Sequence, residues 1–228
     1  YSTKYESDLD IHAIGFNAGI GLIVKPSKFF RLGGSLVSPT FYRLTENYDE
    51  SLTSELDTQN YDPATMSGIF RYNLSTPFKA TASLAIIAAE YGFISVDYEY
   101  VDYSSAILSA NDYAFTYENR NITDFFQAAN NIRVGAELKL GIFSLRAGYG
   151  IYQSPYNASI RPANGDRAYT VYSGGVGLRE KNYYIDLAWQ RNTVNEFETP
   201  YILASKNVEG ATISNTGTNV VATFGFRF

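Results

Sequence analysis

The chain has 228 residues, enough for one large barrel or for one or two soluble domains, and no cysteine, which excludes a disulfide framework and thiolate metal sites. Its net charge is -5 with no basic patch, which argues against a nucleic-acid partner. Tyr (20) and Phe (15) are abundant and charged residues make up only 18%, yet mean hydropathy is -0.18 and no run of about 18 apolar residues occurs. A bundle of transmembrane helices is therefore excluded.

Period-two alternation runs through the whole chain. The polar stretch Tyr1 to Asp10 reads as the tail of a loop. A chain that starts without methionine or signal peptide reads as processed or truncated, with nicking of an exposed loop as the favoured route. Strands are then predicted at about 11–25, 29–46, 67–89, 92–104, 127–140, 142–153, 167–181, 183–195 and 217–228. Ile132, Val134, Ala136, Leu138 and Leu140, for example, oppose Arg133, Gly135, Glu137 and Lys139, a segregation that a helix could not keep. Pro77 cannot donate to a ladder, so a bulge or break is expected within the third strand, above the membrane.

Alternation alone does not separate a soluble sandwich from a membrane barrel, because the two simply exchange inside and outside. The connections separate them. Short links at Lys25-Pro26-Ser27-Lys28, Glu90-Tyr91, Gly141 and Glu180-Lys181-Asn182 alternate with long ones near 47–66, 104–126, 153–167 and 196–216. Short turns on one side and long polar loops on the other are the outer-membrane pattern. The last strand agrees: Val220, Ala222, Phe224, Phe226 and Phe228 share one face, and an apolar edge with no polar tail would suit a soluble protein poorly. The expected fold is all-β, a transmembrane antiparallel β-barrel. Nine is an odd strand count, so the chain is expected to form only part of the barrel.

Gly15-Phe16-Asn17-Ala18-Gly19-Ile20-Gly21, Lys25-Pro26, Arg31-Leu32-Gly33-Gly34-Ser35 and Ser38-Pro39-Thr40 resemble the long-chain fatty-acid transporter family (FadL/OmpP1/TodX). Ser75-Thr76-Pro77-Phe78-Lys79 and Gly92 to Ser104 are similar to the same family, especially its Bacteroidetes-type members. The likeness runs from about residue 11 to 228 and lies in the order of the segments. It implies a fourteen-stranded barrel plugged by an N-terminal hatch. This chain would be the C-terminal portion, with the hatch and first five strands absent or held as a separate chain. The implied function is uptake of long-chain fatty acids or aromatic hydrocarbons across a Gram-negative outer membrane. Extracellular loops would capture the solute, and the barrel would release it sideways into the bilayer. The alternative is a barrel scaffold or shuttle for secretion machinery. Implied partners are a hydrophobic small molecule or lipid, the outer membrane with its lipopolysaccharide, and the missing part of the barrel.

An apolar path needs apolar inward positions, and Ile23, Val37, Ile87, Phe93, Val101 and Val171 supply them; the same positions would equally pack a hatch. Arg31, Asp97, Glu99, Arg133, Glu137, Lys139, Arg146, Arg179, Asp186 and Arg227 are expected to pair inside the lumen, because unpaired charges there are costly. Arg133 and Arg146 are nevertheless candidates for holding a fatty-acid carboxylate. The acidic run Glu46, Asp49, Glu50, Glu55, Asp57 and Asp62 reads as a solvated loop, with cation-mediated contact to lipopolysaccharide as the alternative. His12 is the sole histidine and no Gly-x-Ser-x-Gly turn accompanies it, so no catalytic residue, metal or cofactor is expected. Trp189 and most tyrosines read as girdle anchors, with Tyr113, Tyr117 and Tyr156 as loop residues able to touch a ligand.

Overall fold

The computed structural model describes residues 2–56, 59–159, 167–198 and 210–226. Its centre is a nine-stranded antiparallel sheet, the wall of a transmembrane β-barrel. In spatial order the strands are β2 (Gly19–Val24), β3 (Phe30–Val37), β6 (Lys79–Ile87), β7 (Gly92–Asp102), β9 (Ala128–Leu140), β10 (Phe143–Tyr152), β11 (Tyr169–Arg179), β12 (Tyr183–Glu198) and β13 (Ala211–Phe226). The count of nine and the short turns agree with the sequence reading, while Arg227 and Phe228 lie outside the described residues. Gly141 makes the tightest turn, at φ +63°.

Register explains why the two faces differ. One inward row passes Ile23, Gly33, Ser83, Asp97, Arg133, Gly150, Val171, Asn192 and Gly217, one residue from each strand. A lipid-facing row passes Val24, Leu32, Leu84, Val96, Val134, Tyr149, Tyr172, Arg191 and Thr218. Along that second row the chemistry changes from aliphatic to aromatic to polar. Strands tilted against the barrel axis cause this, because a row perpendicular to the strands climbs from the bilayer interior to its surface.

The first three predicted strands are each broken, and the breaks line up. They fall at residues 17–18, 38–40 and 76–78, and β7 is interrupted at 103–106 by a 3₁₀ turn before β8 (Ile107–Ser109). Beyond this seam the same strands continue as a second sheet, ordered β1 (Ser2–Phe16), β4 (Phe41–Leu56), β5 (Gln59–Ser75), β8. Two prolines account for it: Pro39 and Pro77 lack the N–H that a continuous ladder requires. Bridges across the seam are few: Ser38 N–H to the Ala18 carbonyl at 2.8 Å and Thr76 N–H to the Thr40 carbonyl at 3.0 Å. Side chains add Asn17 to Thr40 (2.9 Å), Ala18 N–H to Ser38 (3.0 Å) and Thr40 N–H to Thr76 (2.9 Å). The break expected at Pro77 is present; the one at Pro39 was not anticipated.

Several expected loops are corrected. The connection near 47–66 is the continuation of β4 and β5, with residues 57–58 outside the described set. Residues before Asp10 are not a loop tail but β1, paired with β4 from Ser2↔Glu55 to Phe16↔Phe41. Likewise β12 and β13 run well into 196–216. Polar residues on both faces hid these strands. Above a bilayer nothing imposes apolar alternation, and backbone ladders hold the hairpin instead.

The segment 104–126 contains β8 and a helix, α1 (Thr116–Phe125), neither of which was predicted. Asn119 acts as a substitute strand for β8: its Oδ1 accepts from Leu108 N–H and its Nδ2 donates to the Leu108 carbonyl, both at 2.8 Å. Asn119→Leu is expected to free this edge and raise the rate of tryptic cleavage after exposed Arg120 about thirtyfold in the folded protein, since two hydrogen bonds of about 1 kcal/mol each are lost. An unchanged rate would show that α1 is held by packing alone.

Among the described residues no ladder joins β2 to β13. Both edge strands run toward the short-turn end of the wall.

Candidate functional site

The inner face of the wall holds a concavity of about 520 Å³. It brings together four of the residues singled out from sequence: Phe93 at the start of β7, Arg133 on β9, Arg146 on β10 and Val171 on β11. Ile23 lines a neighbouring hollow of about 460 Å³ with Arg31 and Asp97. Val37 ends β3 at the seam, and Ile87 pairs with Phe93 at the foot of β6; neither lines these hollows. Val101 is 1% exposed and sits opposite buried Ala129, so it is packed into the upper wall rather than open to a path.

The expected charge pairing is found for most inward ions. Arg146 Nε donates to Glu137 Oε2 at 2.7 Å and its terminal nitrogen to Asp186 Oδ1 at 2.5 Å, with Lys139 Nζ 3.8 Å from Glu137. The Arg146–Asp186 contact crosses β11 above Gly177, where a Cβ would collide with Asp186 Oδ1. A glycine there is a matter of room for the ion pair. Arg133 lies 3.3 Å from Glu99, whose other oxygen accepts from buried Asn131 at 2.9 Å. Both arginines are therefore already engaged by carboxylates. Arg31 donates instead to the Ser27 and Phe30 carbonyls, each at 2.9 Å. The side chains of Asp97 and Arg179 have no partner among the described residues.

The floor of the concavity was not singled out from sequence. Ser95, Gly135, Gly148, Ser173, Gln190 and Asn219 form one inward row across β7 to β13. Small residues there leave the space that the charged pairs and Phe93 surround. The signal was present as glycines on the charged face, which strand packing by itself does not require. Toward the seam end of β9 and β10, Gln127 N–H bonds the Pro155 carbonyl (2.8 Å), and Tyr152 stacks on Tyr169 at 4.5 Å.

One face of this second, tall sheet mixes the apolar Leu9, Ile11, Leu44, Leu52, Met66, Phe70 and Tyr72 with Ser7, Glu46 and Glu50. Phe115, buried and in the left-handed region at φ 48°, packs on Phe70 and Tyr72 at 5.9 and 5.7 Å, and Tyr113 meets it edge-on at 4.8 Å. Tyr72 donates to Glu46 at 2.5 Å; burial first, and then that carboxylate, push its pKa up to about 12. Thus Glu46 serves the sheet rather than a solvated loop. Tyr113 bonds Glu118 at 2.6 Å, Tyr117 is exposed, and Tyr156 meets Phe126 at a tilt with ring centroids 4.9 Å apart. His12 is exposed within β1, 3.1 Å from Asp10, and no group of three metal-ligating side chains occurs among the described residues.

No family model matches the chain, and no curated protein matches it. Among solved structures it is similar to a Pseudomonas aeruginosa FadL homologue, with 12% identity and a TM-score of 0.48, over 95% of this chain and 67% of that one.

Proposed function

We propose that the chain is part of an outer-membrane channel for hydrophobic molecules such as long-chain fatty acids or aromatic hydrocarbons. The observation that supports this reading is that both arginines of the inner concavity are already matched by carboxylates. Arg133 and Arg146 are matched by Glu99, Glu137 and Asp186 within the wall, while Phe93, Val171 and Val221 line the same hollow. With both arginines matched and Asp97 left unmatched, such a surface offers an anion no attracting field and offers a hydrocarbon apolar contact. The exposed apolar residues Leu9, Ile11, Leu52 and Met66 on the tall sheet suit first capture. The rest of the barrel, including an N-terminal hatch on the same or a separate chain, would complete the wall between β2 and β13.

The test uses the full-length protein in vesicles containing lipopolysaccharide. Uptake of a fluorescent fatty acid should exceed that of empty vesicles, and Phe93→Asp should lower it about tenfold, because an unpaired carboxylate replaces apolar lining. Porin-like ion conductance with no apolar uptake would overturn the reading.

A further inference from the structure

On the other face of the tall sheet, just beyond the seam, an apolar belt meets two unpaired cations. Three cross-strand rows lie there in succession: Phe16, Phe41 and Ser75; Ile14, Arg43 and Asn73; His12, Thr45 and Arg71. The continuous register puts all three rows on one face. Phe16 and Phe41 touch with ring centroids 5.5 Å apart, and Ile14 and Phe16 are 83% and 72% exposed. Arg43 and Arg71 are diagonal neighbours on β4 and β5, a relation that sets such residues about 7–8 Å apart.

Exposed arginines alone mean little, since water solvates them cheaply. Of the nine described arginines, Arg43, Arg71, Arg179 and Arg191 lack a side-chain partner, and of these four only Arg43 and Arg71 are neighbours. Arg120, Arg133, Arg146 and Arg167 each have a carboxylate within 4.0 Å, whereas Arg43 and Arg71 have neither a hydrogen bond nor an ion pair among the described residues. The nearby carboxylate of Asp10 is engaged with His12. Two free guanidiniums side by side present planar donors that match a phosphate or carboxylate, and the hydrocarbon surface lies directly beneath them.

We infer that this face binds an anionic amphiphile, its chain on Ile14, Phe16 and Phe41 and its phosphate or carboxylate between Arg43 and Arg71. The site deepens the proposed function by giving the ligand a charge and a place, and its test is scored by binding rather than by uptake.

Full-length protein in a non-ionic detergent is titrated calorimetrically with dodecyl phosphate, laurate, methyl laurate and inorganic phosphate. Dodecyl phosphate or laurate should bind at least tenfold more tightly than methyl laurate and than inorganic phosphate. The tighter of the two acids identifies the source, a lipid phosphate or a free fatty acid. R43Q/R71Q should weaken that binding at least tenfold, R43K/R71K should recover part of it, and F16S/F41S should weaken the chain-bearing ligands while leaving inorganic phosphate unchanged. Because neither arginine has a partner to lose, R43Q/R71Q should keep the folded gel mobility; if it does not, the F16S/F41S comparison decides. Equal binding by the parent and R43Q/R71Q, or by the acid and its methyl ester, would overturn the inference. A protein that fails in this way and still takes up apolar solutes refutes this site and leaves the channel reading standing.

Discussion

Replacing Gly92 with alanine is expected to abolish the folded, heat-modifiable form of the protein, or to destabilise it by about 3 kcal/mol or more. Gly92 leaves the turn at 88–91 with φ +138°, a conformation that costs any other residue roughly 1–3 kcal/mol. A Cβ would also collide with the Glu137 carbonyl oxygen and lie 2.8 Å from its carbon. Neither atom can retreat. Glu137 belongs to β9, and the adjoining ladder is fixed by Lys139 N–H to the Tyr91 carbonyl at 2.7 Å. The control is Gly34→Ala, where the nearest non-neighbouring atom is 3.9 Å away and the change should stay within about 0.5 kcal/mol. Unheated gel mobility and urea unfolding of the refolded protein read both outcomes. A Gly92→Ala protein as stable as the Gly34→Ala control would mean that the β7–β9 register is wrong.

The second large effect is expected at Arg146. Arg146→Met leaves Glu137, whose side chain is only 9% exposed, and Asp186 facing each other's field with Lys139 as the sole remaining cation. Stranding a fully buried charge costs about 3–5 kcal/mol. Arg146 is 30% exposed, so solvent screening reduces the expected loss to about 2 kcal/mol. Adding Glu137→Gln and Asp186→Asn removes the stranded charges and should restore most of that stability. Urea midpoints of the single and triple variants decide it: equal midpoints would mean that the cluster contributes no coupling. In the full-length barrel the single variant should also make any residual conductance more cation-selective, since its inner wall gains a net negative charge.

The nine-strand wall was legible in sequence because lipid and lumen impose opposite chemistry on alternate residues. Ile132 to Leu140 could not be read otherwise. The tall sheet was legible only up to the seam. From Asn47 to Leu56 both faces meet water, and the ladder that orders them leaves no hydropathy signature. The α1 segment escaped for a different reason. Its Thr-Tyr-Glu-Asn-Arg-Asn run lacks an apolar stripe, and tertiary contacts from Phe115 and Asn119 supply the order that propensity does not. At the site, the identities of the paired ions were readable but their partners were not. That Arg146 reaches Asp186, two strands away, depends on the bare backbone at Gly177, and only register reveals it. Val101 shows the converse. It shares the parity of Phe93 and Asp97 along β7, but the wall buries it.

The two unpaired borders of the wall obey an arithmetic of direction. β2 and β13 both descend toward the short turns, so joining them directly would create a parallel ladder in a sheet that is otherwise wholly antiparallel. Two copies related by an axis along the bilayer normal meet the same obstacle, because that rotation leaves every strand's direction unchanged. An antiparallel seal requires an odd number of intervening strands, the first and last both ascending. Closure of the wall on itself, or with a second copy about that axis, would therefore need one parallel ladder, whereas an odd-numbered meander entering from the short-turn side and leaving on the opposite side would keep every ladder antiparallel.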